Sequence, residues 1–163
     1  FFDGGEVIRN ILHLSGPSLR SEQLVNTISP VAKNKFEESL NQIKDNASEK
    51  ELKNGDIIFE IDLDKYSKRM NYPSSYDLLF EFHTSAASEK TNPIFTLGIT
   101  DSYISLSSSR EDFSYSDFAE SLEKSNKKSG INFTNSHNSI SILFYPGHQE
   151  AVLKSIKKLL DKL

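Results

Sequence analysis

Apolar residues near the start of the chain recur at helical spacing. Val7, Ile8, Ile11, Leu12 and Leu14 form one such run, and Gly16-Pro17 ends it. A second helix is expected over Leu19 to Thr27. Ser29-Pro30 then reads as an N-cap followed by proline at the first helical position, and the next helix aligns Phe36, Leu40 and Ile43 on one face. That helix fades in Asp45-Asn46-Ala47-Ser48, and a charged stretch runs on to Lys53. The rhythm changes after the Asn54-Gly55 turn signal. Asp56 to Leu63 alternates as a strand, with Ile57, Phe59, Ile61 and Leu63 on one face and Ile58, Glu60 and Asp62 on the other. Tyr76 to Phe82 is apolar and fits helix or strand, and Ser85 to Thr91 reads as a mobile polar loop.

The last third is the clearest. Pro93 to Ile99 and Tyr103 to Ser107 are two strands of a hairpin around Thr100-Asp101. Ser114 opens a helix with Tyr115, Phe118, Ala119 and Leu122 at core spacing, and Lys127-Lys128-Ser129-Gly130 closes it. Ile131 to His137 is expected as loop and Ser139 to Phe144 as strand. Pro146-Gly147 leads into a final helix capped by His148. Val152, Ile156, Leu159, Leu160 and Leu163 point inward there, and Lys154, Lys157, Lys158 and Lys162 mostly outward.

These elements predict an α/β fold, a mixed β-sheet with flanking helices. Residues 1–53 form a helical N-terminal lead and residues 54–163 the α/β domain. The 163 residues, 36% apolar and 26% charged, suffice for about one domain. There is no Cys, which rules out disulfides and thiolate zinc sites. No apolar run approaches the ~20 residues needed to span a bilayer, and a cytoplasmic location is expected. The chain opens Phe1-Phe2-Asp3 without a Met, which reads as a piece of something longer. Its net charge of −4 is uneven: residues 1–119 carry 12 Lys/Arg against 19 Asp/Glu, and residues 120–163 carry 7 Lys against 4 acids. A basic C-terminal part fits either a polyanion partner or a solvated helix face.

Candidate chemistry concentrates at the end of the second hairpin strand. Ser108, Ser109 and Arg110 place hydroxyls, backbone N–H groups and a guanidinium together, a set that suits a phosphate. The competing reading pairs Arg110 with Glu111 or Asp112. His137 lies among Asn135, Ser136 and Asn138, as a phosphate donor or a loop cap, and Lys127 and Lys128 add long-range attraction. His13 and His83 read as structural. Asp62-x-Asp64 reads as solvated charge at a strand end. No His-x-His, Asp-His-His or His-Glu-x-x-His pattern, phosphate-binding glycine loop or nucleophile elbow occurs.

With those residues in view, the block from Asn92-Pro93-Ile94-Phe95-Thr96-Leu97-Gly98 through Ser108-Ser109-Arg110, the helix, His137, strand and final helix resembles the DHH-associated C-terminal domain of RecJ-like proteins. In that family a strand ends in a Ser/Gly-Arg-Ser type motif, matched here by Ser109-Arg110. A later Gly-Gly-His followed by small residues is matched in its histidine by His137. Asn135-Ser136 stand where the two glycines belong, and Ile140-Ser141-Ile142 replace the small Ala-Ala-Gly run. Side chains there obstruct the close backbone approach that glycine allows. The likeness covers Asn92 to Leu163 and is open to extension over Gly55 to Leu63. It implies a non-catalytic chain without cofactor or metal, because the family's nuclease residues lie in a separate DHH domain. It also implies single-stranded DNA contact through Ser108, Ser109, Arg110, Lys127, Lys128, Asn135, His137 and Asn138. The altered histidine loop resembles the archaeal and eukaryotic branch whose members join GINS in the replicative helicase. The implied alternative is therefore a domain that docks on GINS, or another replisome subunit, without binding DNA.

Overall fold

The computed structural model describes residues 19–67, 72–136 and 139–163. The chain divides into two compact units, Phe1–Glu38 and Ser39–Leu163. Described elements of the first belong to helix α1 (Leu19–Asn46), which continues into the second. The expected run over Val7 to Leu14, and His13 with it, lies outside the described residues. α1 does not restart at Pro30; it runs through it. A proline inside a helix removes one hydrogen bond and crowds the carbonyl four residues back. Here that carbonyl belongs to Asn26, and residues 26–31 are all exposed, so water can satisfy it. Ile43, on the face expected to pack, is fully buried.

The second unit is built on a six-stranded mixed sheet in the order β1-β2-β3-β4-β6-β5. The strands are β1 (Ser48–Glu51), β2 (Ile57–Asp62), β3 (Ile94–Ile99), β4 (Tyr103–Ser108), β5 (Asn132–Ser136) and β6 (Ser139–Leu143). Among the described strands only β2 and β3 pair in parallel, from Ile57↔Ile94 to Asp62↔Ile99. A parallel pair needs a crossover, and it comes through helix α2 (Ser75–Glu89). Helices α3 (Tyr115–Ser125) and α4 (Gln149–Leu160) complete the described set.

The two-residue period of the strands sorts side chains to opposite faces. Phe95, Leu97, Ile104, Leu106, Ile140 and Ile142 share one face, and they pack with Phe118 and Leu122 of α3 and Val152, Ile156 and Leu160 of α4. α2 covers part of the other face. Phe82 meets Phe59 edge-on at 5.4 Å between ring centres. Gly98 lies under the helix so closely that a Cβ there would fall 2.5 Å from Leu63 and 2.9 Å from Leu79.

Tyr76 to Phe82, open between helix and strand in the sequence, is helix. Several expectations are corrected. The first residues of the expected mobile loop are helical: Ser85 to Glu89 complete α2, with Ala86 buried and the Ser88 hydroxyl donating to the Ser85 carbonyl at 2.7 Å. The charged stretch before Lys53 contains edge strand β1, which pairs antiparallel with β2. Most of the expected loop Ile131 to His137 is strand β5. Asn132 and Asn135 are poor strand formers taken alone, but β6 has a free edge on that side and the ladder from Asn132↔Leu143 to Ser136↔Ser139 satisfies it. α3 stops at Ser125, before the two lysines, with Asn126 as its C-cap. Leu163 lies beyond the end of α4 and is 48% exposed rather than inside. The Ser114 cap is as expected, with its hydroxyl accepting the Asp117 N–H at 3.3 Å.

Candidate nucleic-acid interface

The register fixes which candidate residues share one end of the sheet. β4 runs toward Ser108 as β6 begins at Ser139, and Ser107 pairs with Ser139. The segment Ser108-Ser109-Arg110 and the connection between β5 and β6 therefore leave the sheet at the same end. His137 and Asn138 form that connection and lie outside the described residues. Asn135 is placed by its backbone, opposite Ile140. Lys127 and Lys128 are exposed in the turn after α3, which the Ser129 N–H closes by donating to the Asn126 carbonyl at 2.9 Å.

The serine-arginine corner is engaged internally. The Ile94 N–H donates to the Ser109 hydroxyl at 2.8 Å, and the Ser109 N–H returns a bond to the Ile94 carbonyl at 3.0 Å, extending the β3–β4 pairing by one step. The Arg110 N–H donates to the Ser108 hydroxyl at 3.1 Å, and the Ser108 N–H donates to the Tyr115 phenol oxygen at 2.9 Å. Burial pushes the Tyr115 phenol up, and the Ser108 bond offsets part of that.

The Arg110 guanidinium bridges two carboxylates. Its Nε and Nη2 donate to both oxygens of Asp112, at 2.6 and 3.3 Å, while Nη1 donates to Asp56, 54 residues away in sequence, at 2.9 Å. The partners differ in exposure: the Asp56 side chain is 7% exposed and that of Asp112 72%. Asp56 is further fixed by Asn54, whose Nδ2 donates to it at 2.8 Å. The hydrogen bonds from Arg110 hold the Asp112 carboxyl below the usual range, and those carboxylates raise the guanidinium further above neutrality. Sequence reasoning anticipated Asp112 as a partner and missed Asp56, because only the strand order brings the β1–β2 turn beside the β4–α3 turn.

A second feature lies beside this corner. Ser105, Ser107 and Ser139 floor a groove of about 310 Å³, with Tyr76 and Phe80 of α2 at its side and His83 deeper in. Tyr76 and Phe80 are 60% and 50% exposed and stack at 6.4 Å with an interplanar angle of 15°. His83 Nδ1 lies 2.8 Å from the buried Thr96 hydroxyl. Burial lowers the His83 pKa, with the Ser108 backbone offsetting part of the shift. His83 thus has the structural contacts expected of it, and it also lines the groove. The signal for the groove was present in sequence: Ile104-Ser105-Leu106-Ser107 and Ser139-Ile140-Ser141-Ile142 alternate apolar with serine, so both strands present hydroxyls on one face.

The other polar residues lie away from this corner or pair locally. Asp62 pairs with Lys65 at 3.2 Å, and Asp64 accepts the Asp101 N–H at 2.8 Å. His148 occupies the N-cap of α4 without a side-chain capping bond. Lys157 pairs with Glu60 at 2.7 Å, while Lys154, Lys158 and Lys162 are exposed. Among the described residues, no cluster of three or more His, Asp or Glu side chains is placed to hold a metal ion. No helix among them is long and apolar enough to cross a membrane.

No protein-family model matches the sequence, and no curated protein matches it. Among solved structures the chain is similar to one described as a member of the s1p family of ribosomal proteins, DHH domain. The two superpose with a TM-score of 0.82 at 26% identity, covering 100% of this chain and 38% of the other. The α/β architecture is thus that of a segment of a DHH-domain protein, and this chain spans little more than a third of that protein's length.

Proposed function

We propose that this chain is a non-catalytic nucleic-acid-binding and assembly domain of a RecJ-like DNA replication or repair protein, contacting single-stranded DNA at the sheet end formed by Ser108, Ser109, Arg110 and the β5–β6 connection. The observation that carries the reading is the whole-chain likeness to a DHH-domain protein. The geometry of Arg110 supports it. Asp112 occupies the Nε/Nη2 edge of the guanidinium through two parallel bonds, the geometry a phosphate also uses. Asp112 is exposed and so exchangeable, whereas Asp56 keeps the third nitrogen in place. A phosphate entering this site replaces Asp112 without moving Arg110. Lys127 and Lys128 precede Asn132 at the opposite end of the sheet, where Asn132 pairs with Leu143, so they add attraction only at long range.

Fluorescence anisotropy with a labelled oligothymidylate, titrated at several salt concentrations, tests this. Affinity falls with salt, by a log–log slope of about 0.7 per phosphate contacted. Asp112→Asn removes the competitor and tightens binding several-fold, while Lys127→Glu with Lys128→Glu weakens it. Absence of binding at low salt, or binding indifferent to salt, refutes the proposal. A second reading, docking on GINS or another replisome subunit without DNA contact, is favoured by the internal engagement of Ser109 and Arg110. It predicts capture by purified GINS with no oligothymidylate binding.

A further inference from the structure

We infer that the groove between α2 and the serine-bearing face of β4 and β6 is a pocket for an uncharged, flat heterocycle, the base of a nucleotide. This rests on the nucleic-acid reading above and names the part of the ligand that the serine-arginine corner cannot take.

The lining decides the ligand class. Among the described residues that line the groove there is no Lys, Arg, Asp or Glu, so nothing there neutralises a phosphate. What lines it are hydroxyls, a histidine and aromatic rings. Ser105, Ser107 and Ser139 come from adjacent strands and lie on one sheet face, because Ser107 pairs with Ser139 across the β4–β6 ladder. The Ser105 hydroxyl is 3.0 Å from that of Ser141, which holds it in place. The Ser107 side chain is near-buried and lines the groove. A hydroxyl both donates and accepts, so this floor meets the edge of any base without demanding one pattern.

The wall supplies the second requirement. Tyr76 and Phe80 are one helical turn apart and present two large rings to solvent at the groove. Exposed aromatic faces beside a polar floor are how sequence-tolerant single-strand binders hold bases, since every base offers a π-face. The volume, about 310 Å³, is at the lower end of the range for small-molecule sites, about 300–1,000 Å³. Ser108 lines the groove and its hydroxyl accepts the Arg110 N–H, so the pocket adjoins the proposed phosphate contact. His83 is held by Thr96 and forms part of the wall.

The test uses ¹⁵N-labelled 163-residue chain and three probes: thymidine, an eight-residue oligothymidylate, and an abasic oligodeoxyribose phosphate of equal length. Thymidine at millimolar concentration is expected to move the amide signals of Ser105 to Ser108, Ser139 and Tyr76 to Thr84. The oligothymidylate should move the same signals and bind about tenfold more tightly than the abasic strand. Tyr76→Ala, at an exposed position that spares the fold, is expected to weaken the oligothymidylate about tenfold and leave the abasic strand unaffected. Ser107→Val should abolish the thymidine shifts; if that variant fails to fold, Tyr76→Ala alone decides. Equal affinity for abasic and thymidylate strands, with the groove signals unmoved, overturns the pocket and leaves the nucleic-acid reading standing. Thymidine shifts in the groove without oligonucleotide binding overturn that reading and leave the pocket. No response to any probe overturns both.

Discussion

Replacing Arg110 tests whether the serine-arginine corner holds the fold together as well as facing a ligand. In Arg110→Ala the Asp56 carboxylate, 7% exposed, loses its guanidinium partner and keeps the Asn54 amide. A hydrogen bond to a charged group contributes about 1.5–3 kcal/mol. The Arg110 side chain is 25% exposed, so its removal opens a path for water to Asp56 and the loss should fall in the lower part of that range, about 2 kcal/mol. The Asp112 contact adds little because that carboxylate stands in solvent. Urea denaturation followed by circular dichroism should show the midpoint falling without a change in slope. Asp56→Asn completes a double-mutant cycle, with a coupling of about 1–2 kcal/mol expected. A loss under 0.5 kcal/mol, or additive single effects, refutes the argument. It would mean that Arg110 is held at the corner without stabilising it. Because of the Asp56 contact, binding losses in Arg110→Ala need correction for unfolded protein.

Gly98→Ala pushes a methyl group into the buried side chains of Leu63 and Leu79 and should cost about 1–3 kcal/mol of stability, read by the same denaturation; an unchanged midpoint would show that α2 packs more loosely over β3. Burial lowers the His83 pKa, so the unfolded chain takes up a proton at this site before the folded one does. Stability from this group is therefore complete above the ordinary histidine value, about 6.5, and declines as the pH falls through the lower folded value. His83→Gln should flatten that part of the stability–pH curve, and an identical curve in the variant would refute the assignment. The depressed Asp112 carboxyl works in the same direction at lower pH: its contribution is present above the ordinary aspartate range and lost as acid protonates it. Asp112→Asn should remove that acid-side loss from thermal melts.

The strands and helices of the last third were legible because their signals are local. Alternation over Tyr103 to Ser107 and the Ser114 cap need only a few neighbours to be read. Errors arose where a partner elsewhere in the chain overrode local preference. Asn132 to Ser136 became strand because β6 offered an edge, and Ser85 to Glu89 stayed helical because Ala86 could be buried. Pro30 misled in another way: its usual meaning as a helix start was read, whereas exposure on both sides let one helix accommodate it.

Of the candidate site, residue types and the adjacent partner Asp112 were visible, and the distant partners were not. Serines, an arginine and a nearby acid within a few positions of one another gave the corner at the end of β4. That Arg110 reaches Asp56 as well as Asp112, that Ser109 closes the β3–β4 ladder, and that Tyr76 and Phe80 face serines from two later strands, are contacts between distant positions. By itself the sequence determined the periods, hence which residues share a face of each strand or helix, since that follows from backbone geometry alone. Which faces meet depends on strand order, above all on the parallel β2–β3 pair whose crossover lays α2 across the hydroxyl side of the sheet. Only the tertiary structure decided that, because the free energy of pairing and burial is shared among segments that no local pattern connects.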